Sequence, residues 1–285
     1  MRFVISISLC MSFSLAQALS NPVTITVEKD IYEYAQAILA DKTPSTIEHF
    51  TQAHCQRDVV DFILVQRALS LGGSQLTFEY ELGNFDARNI KLLTDGHLLI
   101  SFDTIWLEEA KQYDHAVYIS DPIIRQGEYF SGVFTAPHLS QAIAAKIKYD
   151  LSEVSVVSSS AWYADWKTLT ALNPKQLIDE SDWIAMAKMV SRGWVDVMLV
   201  SFTNQQPFQY QGTGYHIVAI SDLKVALADS RHFIVSKIHP LGPETFAALQ
   251  RGLQQLRESG FIENAYRECG FFNSSIANWR TLAVK

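Results

Sequence analysis

Short apolar runs with alternating faces take turns with longer stretches whose apolar positions recur every three to four residues. Val23 to Val27 reads as a first strand. Asp30 to Cys55 is longer than a simple connection and contains Pro44, so it predicts an insertion with one or two short helices. Arg57 to Leu71 predicts a helix with Val60, Ile63, Leu64, Ala68 and Leu71 on one face, ended by Gly72 and Gly73. Leu76 to Tyr80 reads as a strand, Asn84 to Leu93 as a helix and Leu98 to Phe102 as another strand. Further on come a helix over His138 to Ile147, a buried strand over Val154 to Val157 and a helix over Ala161 to Leu172. Ser181 to Arg192 predicts a helix capped by Ser181 and stopped by Gly193, and Val195 to Val200 a strand apolar on both faces. Gln205 to Gly214 reads as a connection, with returning strands at His216 to Ile220 and Phe233 to Lys237. Pro243 opens a terminal helix striped by Phe246, Leu249, Leu253 and Leu256, and Phe261 to Cys269 forms a last short one. Strands alternating with helices predict an α/β fold whose mostly parallel sheets are covered on both sides.

The chain pivots on Tyr118 to Phe134. Asp121-Pro122 ends one segment, Gly127 permits a turn, and Glu128 to Phe134 starts a strand rich in aromatic and β-branched residues. A set of elements precedes this stretch and a shorter set follows it. The pattern therefore predicts two lobes joined by two crossover strands: residues 21–127 and 215–285 in the first, residues 128–214 in the second. Residues 1–20 carry one basic residue, an apolar run from Phe3 to Leu15 and small residues at Ala16 and Ala18. This is the pattern of a cleaved secretion signal and predicts export of a soluble protein.

Nearly half the chain is apolar, which excludes a disordered class. The formal net charge of −7 and the absence of a basic stripe argue against nucleic acid and anionic membrane as partners. Beyond the leader only Cys55 and Cys269 remain. In an oxidising compartment they form a disulfide candidate, with two buried free thiols as the other reading.

In α/β sheets ligands gather beyond the carboxyl ends of strands. That rule selects Glu28, then Asp103, Thr104 and Trp106, with Trp106 either stacking on a ligand or packed into its lobe. It also selects Ser158, Ser159 and Ser160, which sit between a strand end and a helix start where free amides favour ligand oxygens. There the serines either cap the helix alone or cap and bind. Ser201, Phe202 and Thr203 fall at the next strand end.

The run from Tyr118 to Phe134 resembles the lobe-crossing segment of type 2 periplasmic solute-binding proteins, of the amino-acid-binding kind. The order of motifs from residue 76 to residue 272 is similar to that family throughout: the turn after Phe102, the serine turn, Gly193 through Val200, and the ending from Phe233 to Tyr266. The resemblance implies a two-lobed fold that closes by hinge motion on a small polar ligand. It also implies a periplasmic location and a permease of the ABC type or a membrane sensor as partner. Two departures concern the ligand. Glu108 and Glu109 stand near the position where the family places a carboxylate-binding arginine, and no acidic residue follows Val200 where amino-acid binders have one. A carboxylate would meet like charge there.

No GxSxG, P-loop, GxGxxG or CxxC pattern occurs. His49, His54 and Cys55 do not share a helical face, so no metal site is expected, nor any cofactor. The expected protein is a monomeric binding protein rather than an enzyme. The alternatives are a sensory ligand-binding protein, or dehydratase- or lyase-type chemistry with Glu108 or Glu109 as acid or base.

Overall fold

The computed structural model describes residues 22–51, 55–83, 86–202 and 206–282. The leader, His54, Thr203 and Gln205 lie outside the described residues.

The first lobe begins with β1 (Val23–Val27), α1 (Lys29–Leu39), α2 (Arg57–Leu71), β2 (Phe78–Leu82) and α3 (Asp86–Thr94). β1 and β2 pair in parallel, Val23 opposite Phe78. The expected strand over Leu98 to Phe102 is reduced to one bridge, Ile100 to Val235, flanked by the Ser101 N–H to Ile234 O and Ser236 N–H to Leu99 O bonds. Next come β3 (Ile105–Trp106), the short α4 (Leu107–Ala110) and β4 (Val117–Ile119). α2 is buried almost all round, from Val59 to Val65 and again at Ala68 and Leu69, rather than along one stripe. Leu71, read as core, is exposed. α2 lies between α1 and a later helix, and the contact is close enough that Gly252 and Gly72 touch backbone. A Cβ on Gly252 would stand 1.8 Å from the carbonyl oxygen of Ala68.

The second lobe carries β5 (Phe130–Thr135), α5 (Ser140–Lys146), β6 (Ser155–Ser158), α6 (Tyr163–Ala171), β7 (Gln176–Asp179), α7 (Trp183–Ser191), β8 (Val197–Ser201), β9 (Gln209–Gly212) and β10 (Tyr215–Ala226). β11 (Arg231–His232), β12 (Ile234–Ser236), α8 (Gly242–Glu258) and α9 (Phe261–Glu268) return to the first lobe, and β13 (Arg280–Leu282) ends in the second. The second-lobe sheet runs β13-β10-β5-β8-β6-β7 with β9 beside β10. It is mixed: β6 pairs in parallel with β7 and β8, while β5 is antiparallel to β8 and β10. Alternation along the strands fills both faces. Val156, Val197 and Leu199 join one apolar cluster with Ile143 and Leu169, whereas Val157, Met198 and Val200 join another with Met186 and Val190.

Three details differ from the sequence reading. Asp182, not Ser181, caps α7, its carboxylate accepting the Ala185 N–H at 2.6 Å. Gly212 to Tyr215 is a hairpin between β9 and β10, so the second crossover lies after Ala226. Strand pairing therefore places residues 215–226 and 280–282 with the second lobe. The two crossing segments hold each other through Leu227 N–H to Tyr129 O at 3.0 Å and Arg231 N–H to Ile124 O at 2.9 Å. Cys55 and Cys269 are bonded, with Cα atoms 5.2 Å apart, and tie the start of α2 to the end of α9.

Candidate ligand cleft

A cavity of about 650 Å³ is lined by both lobes. Glu28, Asp103, Thr104, Trp106 and Ser201 line it, as the strand-end rule predicts. Ser158, Ser159, Ser160 and Phe202 do not. Ser158 is buried and pairs with Asp179 across β7. Ser159 Oγ accepts the Ala161 N–H at 3.3 Å, and Ser160 spends its amide and hydroxyl on the Asp179 carboxylate at 2.8 and 2.7 Å. The serines thus build the turn, and the residues after them, Ala161, Trp162, Tyr163 and Asp165, reach the cleft. Phe202 packs on Phe208 and Trp279 instead.

The first-lobe wall is a charge network that the sequence did not reveal. Asp61, fully buried on α2, accepts from Thr104 Oγ1 at 2.7 Å, from Tyr266 and from Arg57. Arg57, one turn earlier on α2, also contacts Asp58 and donates to Asp103 at 2.9 Å and Thr104 Oγ1 at 3.0 Å. Arg231, from the second crossover, donates through Nε to Thr104 Oγ1 at 2.8 Å and through Nη2 to the Thr104 carbonyl. Its guanidinium lies over the Trp106 ring, 4.7 Å from the centroid. Thr104 is therefore consumed in positioning two guanidiniums. Trp106 lines the cleft and packs into the second-lobe apolar cluster rather than into its own lobe.

Burial and crowding set the charges. Burial pushes Asp58 and Asp61 upward against the pull of Arg57. Burial pulls Asp103 the same way, yet Arg57 and Arg231 hold it below the usual carboxylate range. Asp165 is raised to about 6 by burial, and burial also raises Glu109. Glu108 points elsewhere: it is exposed, pairs with Lys111 at 2.7 Å and does not line the cleft. Asp58, Asp61 and Asp103 stand close enough to surround an ion. The Arg57 guanidinium already occupies the space between them, so the geometry suits an internal ion-pair cluster rather than a metal. Aromatic faces complete the lining: Tyr129, Trp162, Tyr163, Trp183 and Tyr210.

Two lobes, two paired crossing segments and a cleft between them settle the architecture. The chain has the fold of the type 2 periplasmic solute-binding proteins. It is similar to a periplasmic His/Glu/Gln/Arg/opine family-binding protein from Silicibacter pomeroyi in complex with lysine. That match has 14% identity and a TM-score of 0.54 over 88% of this chain and 98% of the other. It is also similar to substrate-binding domain 2 of Lactococcus lactis GlnP in an open conformation, at 13% identity and TM-score 0.51 over 90% and 98% of the two chains. An ancestral cationic amino acid solute-binding protein aligns at 18% identity and TM-score 0.50 over 87% and 95%. All three are named as binding proteins or substrate-binding domains. No protein-family model and no curated protein matches the sequence. Among the described residues no helix is long and apolar enough to cross a membrane.

Arg57 and Arg231 line the cleft and were not among the residues the sequence selected. Arg57 looked like the polar start of a helix, and Arg231 belongs to a two-residue strand that no periodicity marks. Asp165 sat inside the helix predicted over Ala161 to Leu172. Its position one turn after a strand-end serine run was the available signal.

Proposed function

We propose that this protein is a secreted solute-binding protein that captures a small polar ligand between its lobes and closes about the two crossing segments. One observation carries the reading. A ligand-sized cavity takes its walls from both lobes, Glu28, Asp103 and Trp106 from one side and Trp162, Asp165 and Ser201 from the other. A ligand touching both walls favours the closed arrangement by its differential affinity for the two states. The hinge consists of residues 125–130 and 226–231, where two backbone segments cross side by side. Handing the closed form to an ABC-type permease or to a membrane sensor is the partner role that fits this motion, and a periplasmic location fits the leader-like segment.

The catalytic alternative lacks support in the geometry. Glu109 faces the cleft but Glu108 turns to Lys111, so the adjacent pair does not form an acid and base. Native mass spectrometry of freshly purified protein would identify a co-purified molecule. Small-angle scattering with that molecule should show a smaller radius of gyration than the stripped protein. An unchanged radius with a bound ligand would sink hinge closure.

A further inference from the structure

The charges of the cleft fall into two groups, those already neutralised by a neighbour and those left for a guest. Arg57 and Arg231 are the cations among the described lining residues. Arg57 is enclosed by Asp58, Asp61 and Asp103. Arg231 gives its Nε–Nη2 edge, one of the edges that meets a carboxylate side-on, to Thr104. Its Nη2 also stands 3.9 Å from Asp103. Both guanidiniums therefore already hold protein partners.

Two of the carboxylates have no such pairing. Asp165 on the second lobe and Glu109 on the first both line the cleft, and neither forms an ion pair within 4.0 Å among the described residues. Arg231 attracts both from a distance, yet burial outweighs that pull, and a cation arriving beside either carboxylate relieves the cost. Five carboxylates border the space (Glu28, Asp58, Asp103, Glu109 and Asp165). The aromatic faces of Tyr129, Tyr163 and Trp162 also attract cations through their ring quadrupoles. Burial raises both Asp165 and Glu109, in keeping with carboxylates held ready for a positive partner.

We infer that the cleft selects an organic amine without a carboxylate, its ammonium held by Asp165 from one lobe and Glu109 from the other. The inference rests on the binding reading above and narrows its ligand class. An amino acid brings its own anion into a space where five carboxylates outnumber two guanidiniums that already hold protein partners, whereas the matching amine brings only the favoured charge. Bridging Asp165 and Glu109 would also couple charge neutralisation to lobe closure.

The test uses matched pairs that differ only by the carboxylate: 1,5-diaminopentane against lysine, and tyramine against tyrosine. Calorimetric titration of the ligand-stripped protein near pH 7.5 should show the amine of at least one pair binding tenfold or more tighter than its amino acid. The difference should shrink as salt is raised. Asp165→Asn and Glu109→Gln, each checked for native circular dichroism, should each weaken that amine tenfold or more. Equal or tighter binding of the amino acids overturns the proposal, as does wild-type amine affinity in both variants. If lysine, glutamate or glucose contracts the protein in scattering while the amines do not, the ligand class is wrong and the binding reading stands. If neither amine binds and the co-purified molecule also leaves the radius of gyration unchanged, both fall.

Discussion

Asp165 holds its charge where water is scarce, and this has a thermodynamic signature that needs no ligand. Its carboxyl is raised from 3.8 to about 6 by burial. Between those values the folded state keeps a proton that the unfolded state releases. Stability therefore falls as pH rises through that window and stays lower above it. Asp165→Asn removes the buried charge, so it should stabilise the unliganded protein near pH 7.5 by about 1–2 kcal/mol after allowance for partial solvation. The gain should vanish near pH 4, where aspartate is already neutral. Melting curves at both values check this, and a gain that persists at pH 4 would point to packing rather than charge. At this scale part of the cleft lining was legible. Glu28, Asp103, Thr104, Trp106 and Ser201 follow from strand ends, which chain order alone predicts. Arg231 was not legible, because its link to Thr104 spans 127 positions and depends on how the crossing segments pair. The serine turn was found, but its hydroxyls serve the backbone and the next residues face the ligand space.

Among the elements, α2 and α8 show how small residues set a distance. Gly252 lies against the Ala68 carbonyl, and Gly72 against that of Ala248. The clashing atoms are backbone, which cannot rotate aside. Gly252→Ala should force the helices apart and destabilise by about 1–3 kcal/mol, read as a lower urea midpoint with an unchanged slope. α2 carries Arg57, Asp58 and Asp61, so the same variant should also weaken binding. Long amphipathic or wholly apolar segments were legible because one element's periodicity suffices to place it. β10 was read short, as His216 to Ile220. Asp222 does adopt a positive φ of 62°, and the pairing shifts register between Ala219 and Lys224, yet the strand runs on through the irregularity to Ala226. β7 and β13 are too short and too polar to announce themselves, and only the sheet beside them makes them strands.

For the whole molecule, two lobes were predictable from the pivot at Asp121-Pro122 and Gly127, whereas the membership of the last strands was not. The Cys55–Cys269 bridge closes a loop of 214 positions. Constraint of the unfolded chain alone then predicts about 5 kcal/mol of stabilisation. Reduction under native conditions should lower the melting temperature, and the loss should concentrate in the first lobe, where both cysteines pack. Hydrogen exchange resolved by segment would show it, and uniform loosening of both lobes would contradict it. The described chain also starts and finishes on different bodies: β1 belongs to one lobe and β13 to the other. Dyes attached beside these two strands would ride on separate halves, so energy transfer between them would follow each molecule's capture and release of its guest in real time.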